Sequence, residues 1–269
     1  MYNVFEGDCR NVLNELIEKG VMVDLVVTSP PYDDMRQYKN TLEWNMDICK
    51  EVIDRLYKIL KPGGVVVWVV GDKTMKGTET GTSFRQALAF IDRGFNLNDT
   101  MIWEKTNPIP QVKQPRYNQV FEYMFVFSKG TPKTFNPIKV PCKCAGLKYD
   151  STCKNIGGEN GRTHKSFNIN EEKVKDNIWE IAIARNKTEH PAVFPEKLAY
   201  DHILSWSNEG DLVLDPFVGS GTTGIAAVKL NRNFIGIDKV SEYVILSKER
   251  IDDAFLETFK NNGEEKNVD

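Results

Sequence analysis

LVLDPFVGSGTTGIAA, residues 212–227, is a short apolar run, a turn crowded with small residues, and a second apolar run with helical character. Residues 211–215 read as a buried strand. Gly219 and Gly221 permit positive φ and let the backbone approach a ligand closely. The helix that follows, 221–230, points its free N–H groups at whatever occupies the turn, which favours an anionic group such as a carboxylate. FIGID (234–238) is then a second strand tipped by Asp238. A carboxylate there is placed to accept hydrogen bonds from both ribose hydroxyls. The turn lacks the G-K-[ST] of a triphosphate-binding loop, and a dinucleotide is not the ligand favoured here. An adenosine with a carboxylate-bearing tail fits better, and S-adenosylmethionine has that form.

The rhythm on either side extends one architecture. FPEKLAYDHILSWS (194–207) has helical spacing with Pro195 near its start, and EYVILSKERIDDAFLE (242–257) is a helix with one apolar side. Toward the N-terminus, VDLVVT (23–28) is an apolar strand. MDICKEVIDRLYKILK (46–61) is a helix closed by Pro62-Gly63-Gly64, and VVVWVV (65–70) is a second apolar strand. SFRQALAFIDRGF (83–95) reads as a helix, MIW (101–103) and EYMFVFS (122–128) as strands. Strands apolar on both faces, alternating with helices, predict an α/β fold: a mostly parallel, doubly wound sheet covered on each side. From 129 to 178 the period is lost among Pro132, Pro137, Pro141, Gly146, Gly157, Gly158 and Gly161. The expectation is an irregular insertion, 131–185, within a discontinuous domain, 1–130 plus 186–262, and a frayed tail, 263–269.

A chain of 269 residues is long enough to bury such a core. No apolar run reaches the ~20 residues of a membrane span, and the N-terminus has no apolar signal segment. Five cysteines, an odd number, suit reduced thiols better than a disulfide scaffold. The expected setting is the cytoplasm, with no membrane partner.

A second stretch asks for chemistry. In VVTSPPYDD (26–34) a buried strand runs into two prolines, which cannot extend a sheet ladder. A stiff turn therefore follows the strand. TSPPY (28–32) together with DPFVGSGTT (215–223) resembles the amino-methylating DNA methyltransferases, which modify the exocyclic nitrogen of cytosine or adenine. GDCRNVL (7–13), KPGGVVVWV (61–69) and HPAVFPEKL (190–198) resemble the same family, and the likeness spans most of the chain outside 131–185. The catalytic turn precedes the cofactor turn, a circularly permuted motif order similar to the family's β group. Glutamine methyltransferases that act on release factors place theirs the other way round.

The resemblance implies a Rossmann-like methyltransferase sheet, S-adenosylmethionine as cofactor and double-stranded DNA as substrate, with the base flipped out of the helix. It implies catalytic roles for Ser29, Pro30, Pro31 and Tyr32. Ser29 Oγ and the Pro30 carbonyl would draw the amine nitrogen toward a tetrahedral shape. The proline pair would fix that carbonyl's direction, and Tyr32 would stack on the extruded base. It assigns Asp215, Phe217, Gly219, Ser220, Gly221, Thr222 and Thr223 to the methionine and ribose side and Asp238 to the ribose. Asp8 and Cys9 would flank the adenine, and His190, Phe194 and Pro195 would close the methionine end. Asp33 is a candidate second acceptor beside Ser29.

Serine at position 29 resembles the cytosine-N4 enzymes; adenine N6 is the alternative, and a DNA-binding protein that keeps the cofactor without chemistry is the alternative of another class. Residues 105–170 hold eleven Lys/Arg and three Asp/Glu in a chain of net charge −3, the asymmetry expected where one face meets a polyanion. Lys113, Arg116, Lys129, Lys133, Lys139, Lys143 and Lys148 are candidate phosphate contacts, which position DNA without reading it. The sequence-reading side chains are expected in 131–185, the place of the family's target-recognition region. Pro141-Cys142 has the form of a cytosine-C5 nucleophile but lies off any core strand. Cys142, Cys144, Cys153 and His164 have only weak zinc-ligand spacing, so no metal is expected. A cognate restriction endonuclease is a possible partner, and monomer and homodimer both remain open.

Overall fold

The structure is a computed structural model that describes residues 1–31, 44–108, 116–154, 162–183 and 194–264. Its first half runs β1 (Tyr2–Glu6), α1 (Cys9–Glu18), β2 (Val23–Thr28), α2 (Met46–Ile59), β3 (Leu60–Val70), β4 (Thr74–Met75), β5 (Thr78–Glu79), α3 (Thr82–Asp92), β6 (Asn96–Lys105) and β7 (Phe121–Ser128). The second half runs β8 (Lys139–Pro141), β9 (Lys148–Lys154), β10 (Arg162–Asn168), β11 (Glu172–Val174), β12 (Ile178–Ile181), α4 (Glu196–Trp206), β13 (Leu212–Asp215), α5 (Thr222–Lys229), β14 (Asn233–Asp238) and α6 (Ser241–Glu264). Among the described residues no helix is long and apolar enough to cross a membrane.

The chain divides into two compact units, Met1–Asn136 with Asn177–Asp269, and Pro137–Asp176. The larger is built on an eight-stranded sheet of order β1-β14-β13-β2-β3-β7-β6-β12. Only β7 runs against the rest, antiparallel to both β3 and β6. Strand β2 (VDLVVT) and the second half of β3 are buried on both faces, as expected of central strands in a doubly wound sheet. Val23, Val26, Val66, Trp68, Phe125 and Phe127 join Leu13, Leu56 and Phe90 of α1, α2 and α3 in one core cluster. Helices α4, α5 and α6 pack on one another, and α5 and α6 also lie against β14.

Strand order reverses its direction of growth between β13 and β2. From β2 the chain passes through α2 to β3 on one side; from β13 it passes through α5 to β14 on the other. Ligands of open α/β sheets bind outside the carboxyl ends of the strands at such a switch point. Asp24 pins the other end of this junction: its carboxylate takes Lys61 Nζ at 2.7 Å and Leu212 N at 2.9 Å.

Helix α2 starts where Asn45 Oδ1 accepts from Asp47 N and Ile48 N, both at 3.0 Å. It ends at Ile59, short of the expected 61, so Pro62-Gly63-Gly64 falls inside β3. There the ladder to β2 slips between Val23 and Leu25. A side chain on Gly64 would meet the Asp24 carbonyl at 2.9 Å, so the two strands approach too closely for any other residue.

In the smaller unit β9 and β10 pair antiparallel, as do β8 and β11. Tyr149 stands opposite Phe167 with ring centroids 5.4 Å apart, and both rings are half exposed. The unit is narrower than the 131–185 expected. Residues up to Asn136 belong to the main unit, where Asn136 N reaches Ser205 O at 2.8 Å, and β12 is the sheet's edge strand beside β6.

Candidate active site

Both turns singled out in the sequence leave the carboxyl ends of neighbouring strands. Ser29-Pro30-Pro31 follows β2, and Pro216 to Gly221 follows β13. Pro30 and Pro31 are buried, whereas Ser29 keeps part of its surface exposed. Tyr32, Asp33, Lys113 and His190 lie outside the described residues.

One carboxylate joins the two turns. Asp215 Oδ1 accepts from Thr28 Oγ1 at 2.6 Å and from Phe217 N at 3.0 Å; Oδ2 accepts from Thr223 Oγ1 at 2.6 Å. Residues 187 apart in sequence are thereby in direct contact. Burial pushes the Asp215 carboxyl up to about 6, and the hydrogen bonds from Thr223, Thr28 and Phe217 hold it from rising further. The side chain is 1% exposed. Asp215, expected on the methionine side, turns its oxygens inward, toward three protein donors.

The cofactor turn is braced from both sides. Gly219, at φ 49°, donates its N–H to Asp238 Oδ2 at 3.0 Å, and Val240 N donates to Oδ1 at 2.9 Å. Burial raises the Asp238 carboxyl. Backbone N–H groups of Gly219, Lys239 and Val240 converge on this carboxylate, which stands at the strand tip where a ribose would lie. Gly221 caps α5 at φ 85°, and a side chain there would meet Ser247 Cα at 3.0 Å. Arg250 of α6 donates to the Ser220 carbonyl. Ser220, Thr222 and Thr223 are almost fully buried, so the turn offers a ligand its backbone more than these side chains. Phe217, half-buried, has Trp44 at 5.3 Å and Trp68 at 6.3 Å, both edge-on.

Gly219, Gly221 and Gly224 do follow the spacing G-x-G-x-x-G, so spacing alone admits a dinucleotide. A side chain on Gly224 would meet Ile251 Cδ1 at 2.4 Å and Phe234 Cε1 at 2.7 Å, the close helix–strand packing that a third glycine serves.

Asp8 and Cys9 lie beside the tip of β14, because Gly7 N donates to the Asp238 carbonyl at 2.8 Å. Asp8 caps α1 through Arg10 N, and the Arg10 guanidinium grips both of its oxygens, at 3.0 and 2.8 Å. That grip holds the Asp8 carboxyl below its ordinary value. Burial pushes the Cys9 thiol up to about 12, which keeps it in the neutral form. Phe194 and Pro195 open α4, which packs on α5 and β2.

The cations divide. Lys129 Nζ donates to the carbonyls of Tyr57 (2.7 Å) and Leu60 (2.9 Å) at the end of α2, and burial lowers its pKa. Lys133 N bonds to Gly63 O at the start of β3, so both lysines sit at the opposite end of the sheet from the turns. Both were expected to meet phosphate, and this placement sets them away from the turns. Arg116 is spoken for by Glu79, Thr74 and Gln119. Lys139, Lys143 and Lys148 are exposed on the smaller unit. Cys142 and Cys144 are free thiols, and among the described residues no group of three potential ligands could hold a metal.

Sequence reading missed Thr28 as a donor, Trp44 as a neighbour of Phe217, and Ser247 and Arg250 as the support behind the turn. Thr28 carried a signal: a hydroxyl at the end of an otherwise apolar buried strand needs a partner.

A family model described as DNA methylase, the N6/N4 type, matches residues 23–249. The orphan methyltransferase M.BamHII of Bacillus amyloliquefaciens is 51% identical over 239 residues, 85% of this chain and 88% of that protein. The type II methyltransferase M.HpaI of Haemophilus parainfluenzae is 32% identical over 92% of this chain and 74% of its own. Among solved structures, the M1.HpyAVI–SAM complex superposes with a TM-score of 0.65 at 25% identity, covering 93% of this chain and all of that one. With the two turns joined at one switch point and these matches along nearly its whole length, the chain belongs to the N6/N4 DNA methylase family.

Proposed function

We propose that this protein transfers a methyl group from S-adenosyl-L-methionine to the exocyclic N4 of a cytosine flipped out of duplex DNA. The observation that carries the reading is the Thr28–Asp215 hydrogen bond, which brings the Ser29 corner and the glycine turn to one place. The cofactor supplies an electrophilic methyl group on a sulfonium. Attack by the base amine would displace S-adenosylhomocysteine, and the proton lost from nitrogen would pass to solvent.

An exocyclic amine is a poor nucleophile because its lone pair is delocalised into the ring. Ser29 Oγ and the Pro30 carbonyl accept from its N–H bonds and localise that pair, and the buried proline pair keeps the carbonyl from turning away. Asp238 receives the ribose hydroxyls, and the Gly219–Gly221 backbone receives the amino-acid end. Serine at position 29, a weaker acceptor than a carboxylate, favours cytosine N4. The exposed lysines at 139, 143 and 148 supply backbone contacts to the DNA, with target recognition in the 131–185 segment. The enzyme works on cytoplasmic DNA. Its 51%-identical relative is an orphan methyltransferase, which favours solitary modification over pairing with a nuclease.

Methylation of duplex DNA by the purified protein, followed by single-molecule sequencing, tests this. N4-methylcytosine at a fixed site is expected. N6-methyladenine would overturn the choice of base, and no transfer to any duplex would leave a cofactor-retaining DNA-binding protein.

A further inference from the structure

We propose that Asp215 is a positioning residue for methyl transfer that never touches the methyl donor, and that it acts by locking the catalytic turn to the cofactor turn through Thr28. The inference rests on the function proposed above and adds a residue pair to it.

The backbone alone does not hold the two turns together. Strands β13 and β2 pair at Val213–Leu25 and Leu214–Val26, and the ladder goes no further. Beyond that point β2 stays registered on its other neighbour, with Val27 opposite Val67 and Thr28 opposite Trp68 of β3. The last residues of β2, which carry the Ser29 corner, are thus tied by backbone to the β3 side. On the cofactor side the ties include two side-chain contacts: Thr28 Oγ1 to Asp215, and a long 3.4 Å contact from Thr223 Oγ1 to the Val27 carbonyl. Asp215 in turn holds the turn's backbone at Phe217 and the first helical turn of α5 at Thr223. One carboxylate therefore takes a donor from each part whose spacing sets the line of attack: the strand before Ser29, the turn, and the helix behind the turn. Its 1% exposure leaves no surface for a ligand. In a transfer that depends on in-line geometry, a misplacement on the order of 1 Å costs about a hundredfold in rate.

Thr28→Val removes the hydroxyl at constant shape, and Thr28→Ser restores it. For Thr28→Val, kcat is expected to fall at least about tenfold while the dissociation constant of S-adenosylhomocysteine stays within about threefold of wild type, with Thr28→Ser recovering most of the rate. Asp215→Asn is likewise expected to hold S-adenosylhomocysteine within about threefold; a ligand to the methionine ammonium would lose tenfold or more. A readout that needs no turnover accompanies these: amide exchange across 24–29. In wild type, S-adenosylhomocysteine should slow exchange there; in Thr28→Val it should bind without doing so. Folded Thr28→Val with wild-type kcat and a wild-type exchange response would overturn the lock, as would Asp215→Asn losing cofactor affinity tenfold. If the wild type methylates no DNA, the proposed function fails, while the exchange and binding measurements still decide the lock.

Discussion

Asp215→Asn has a consequence for stability whose size follows from the site. Burial lifts the Asp215 carboxyl from 3.8 to about 6, against the pull of the Thr223, Thr28 and Phe217 donors. A carboxyl raised on folding binds more protons in the native state than in the unfolded chain between those two values. Native stability therefore falls as pH rises through that window, and above it the burial of the ionised group costs about 3 kcal/mol. Asparagine cannot ionise. It also brings a cost of its own: one amide oxygen can serve Thr28 and Phe217, but the amide N–H faces Thr223, whose hydroxyl must turn to the Val27 carbonyl. That rearrangement costs about 1–3 kcal/mol and does not change with pH. The stability of Asp215→Asn minus that of wild type should thus be negative near pH 4 and climb by about 3 kcal/mol by pH 7. Urea unfolding of both proteins at pH 4, 5, 6 and 7 reads this, since the acids not coupled to Asp215 titrate alike in each and cancel; Asp238 is the acid coupled to it. A difference that stays flat would mean the carboxyl is not raised. A difference that fell only on raising pH from about 2 to 4 would mean it is depressed, as for an ion-paired acid, and the buried geometry would be wrong.

Three further outcomes are expected. Gly221→Ala forces a left-handed φ of 85° on a residue with a side chain and drives its Cβ against the Ser247 backbone at 3.0 Å. It should cost about 2 kcal/mol or more in urea unfolding and weaken S-adenosylhomocysteine binding by calorimetry. Lys148→Gln should lower the slope of log affinity for duplex DNA against log salt by about 1, and Lys133→Gln should leave it unchanged; the reverse pattern would relocate the DNA face. Trp44→Ala removes an edge-on partner of Phe217 and should weaken S-adenosylhomocysteine about fivefold, from the ~1 kcal/mol of an aromatic pair, and wild-type binding would show that Phe217 needs no such support.

What the sequence disclosed depended on how each signal is written. Central strands show as apolar runs because both faces are covered, unbroken in VVVWVV and interrupted in VDLVVT only by Asp24 before Thr28, and the two turns show because glycine and proline punctuate them. Strand β1 gave no such signal: at the sheet's edge only Val4 of its five residues is buried. Strands β8 and β11 bury none of their side chains fully, so no alternation marks them. Asp215 was legible as important while the direction of its oxygens was not, because a motif says which residue stands at a turn and not which way its oxygens point. The geometry also says why that residue is an acid. Two hydroxyls and one backbone N–H converge on it, all three as donors. An amide would meet one of them with a donor of its own, and a hydroxyl is too short to reach all three. A carboxylate accepts from every side. Its burial therefore costs stability at neutral pH, and the convergence of three donors from three elements is what that cost sustains.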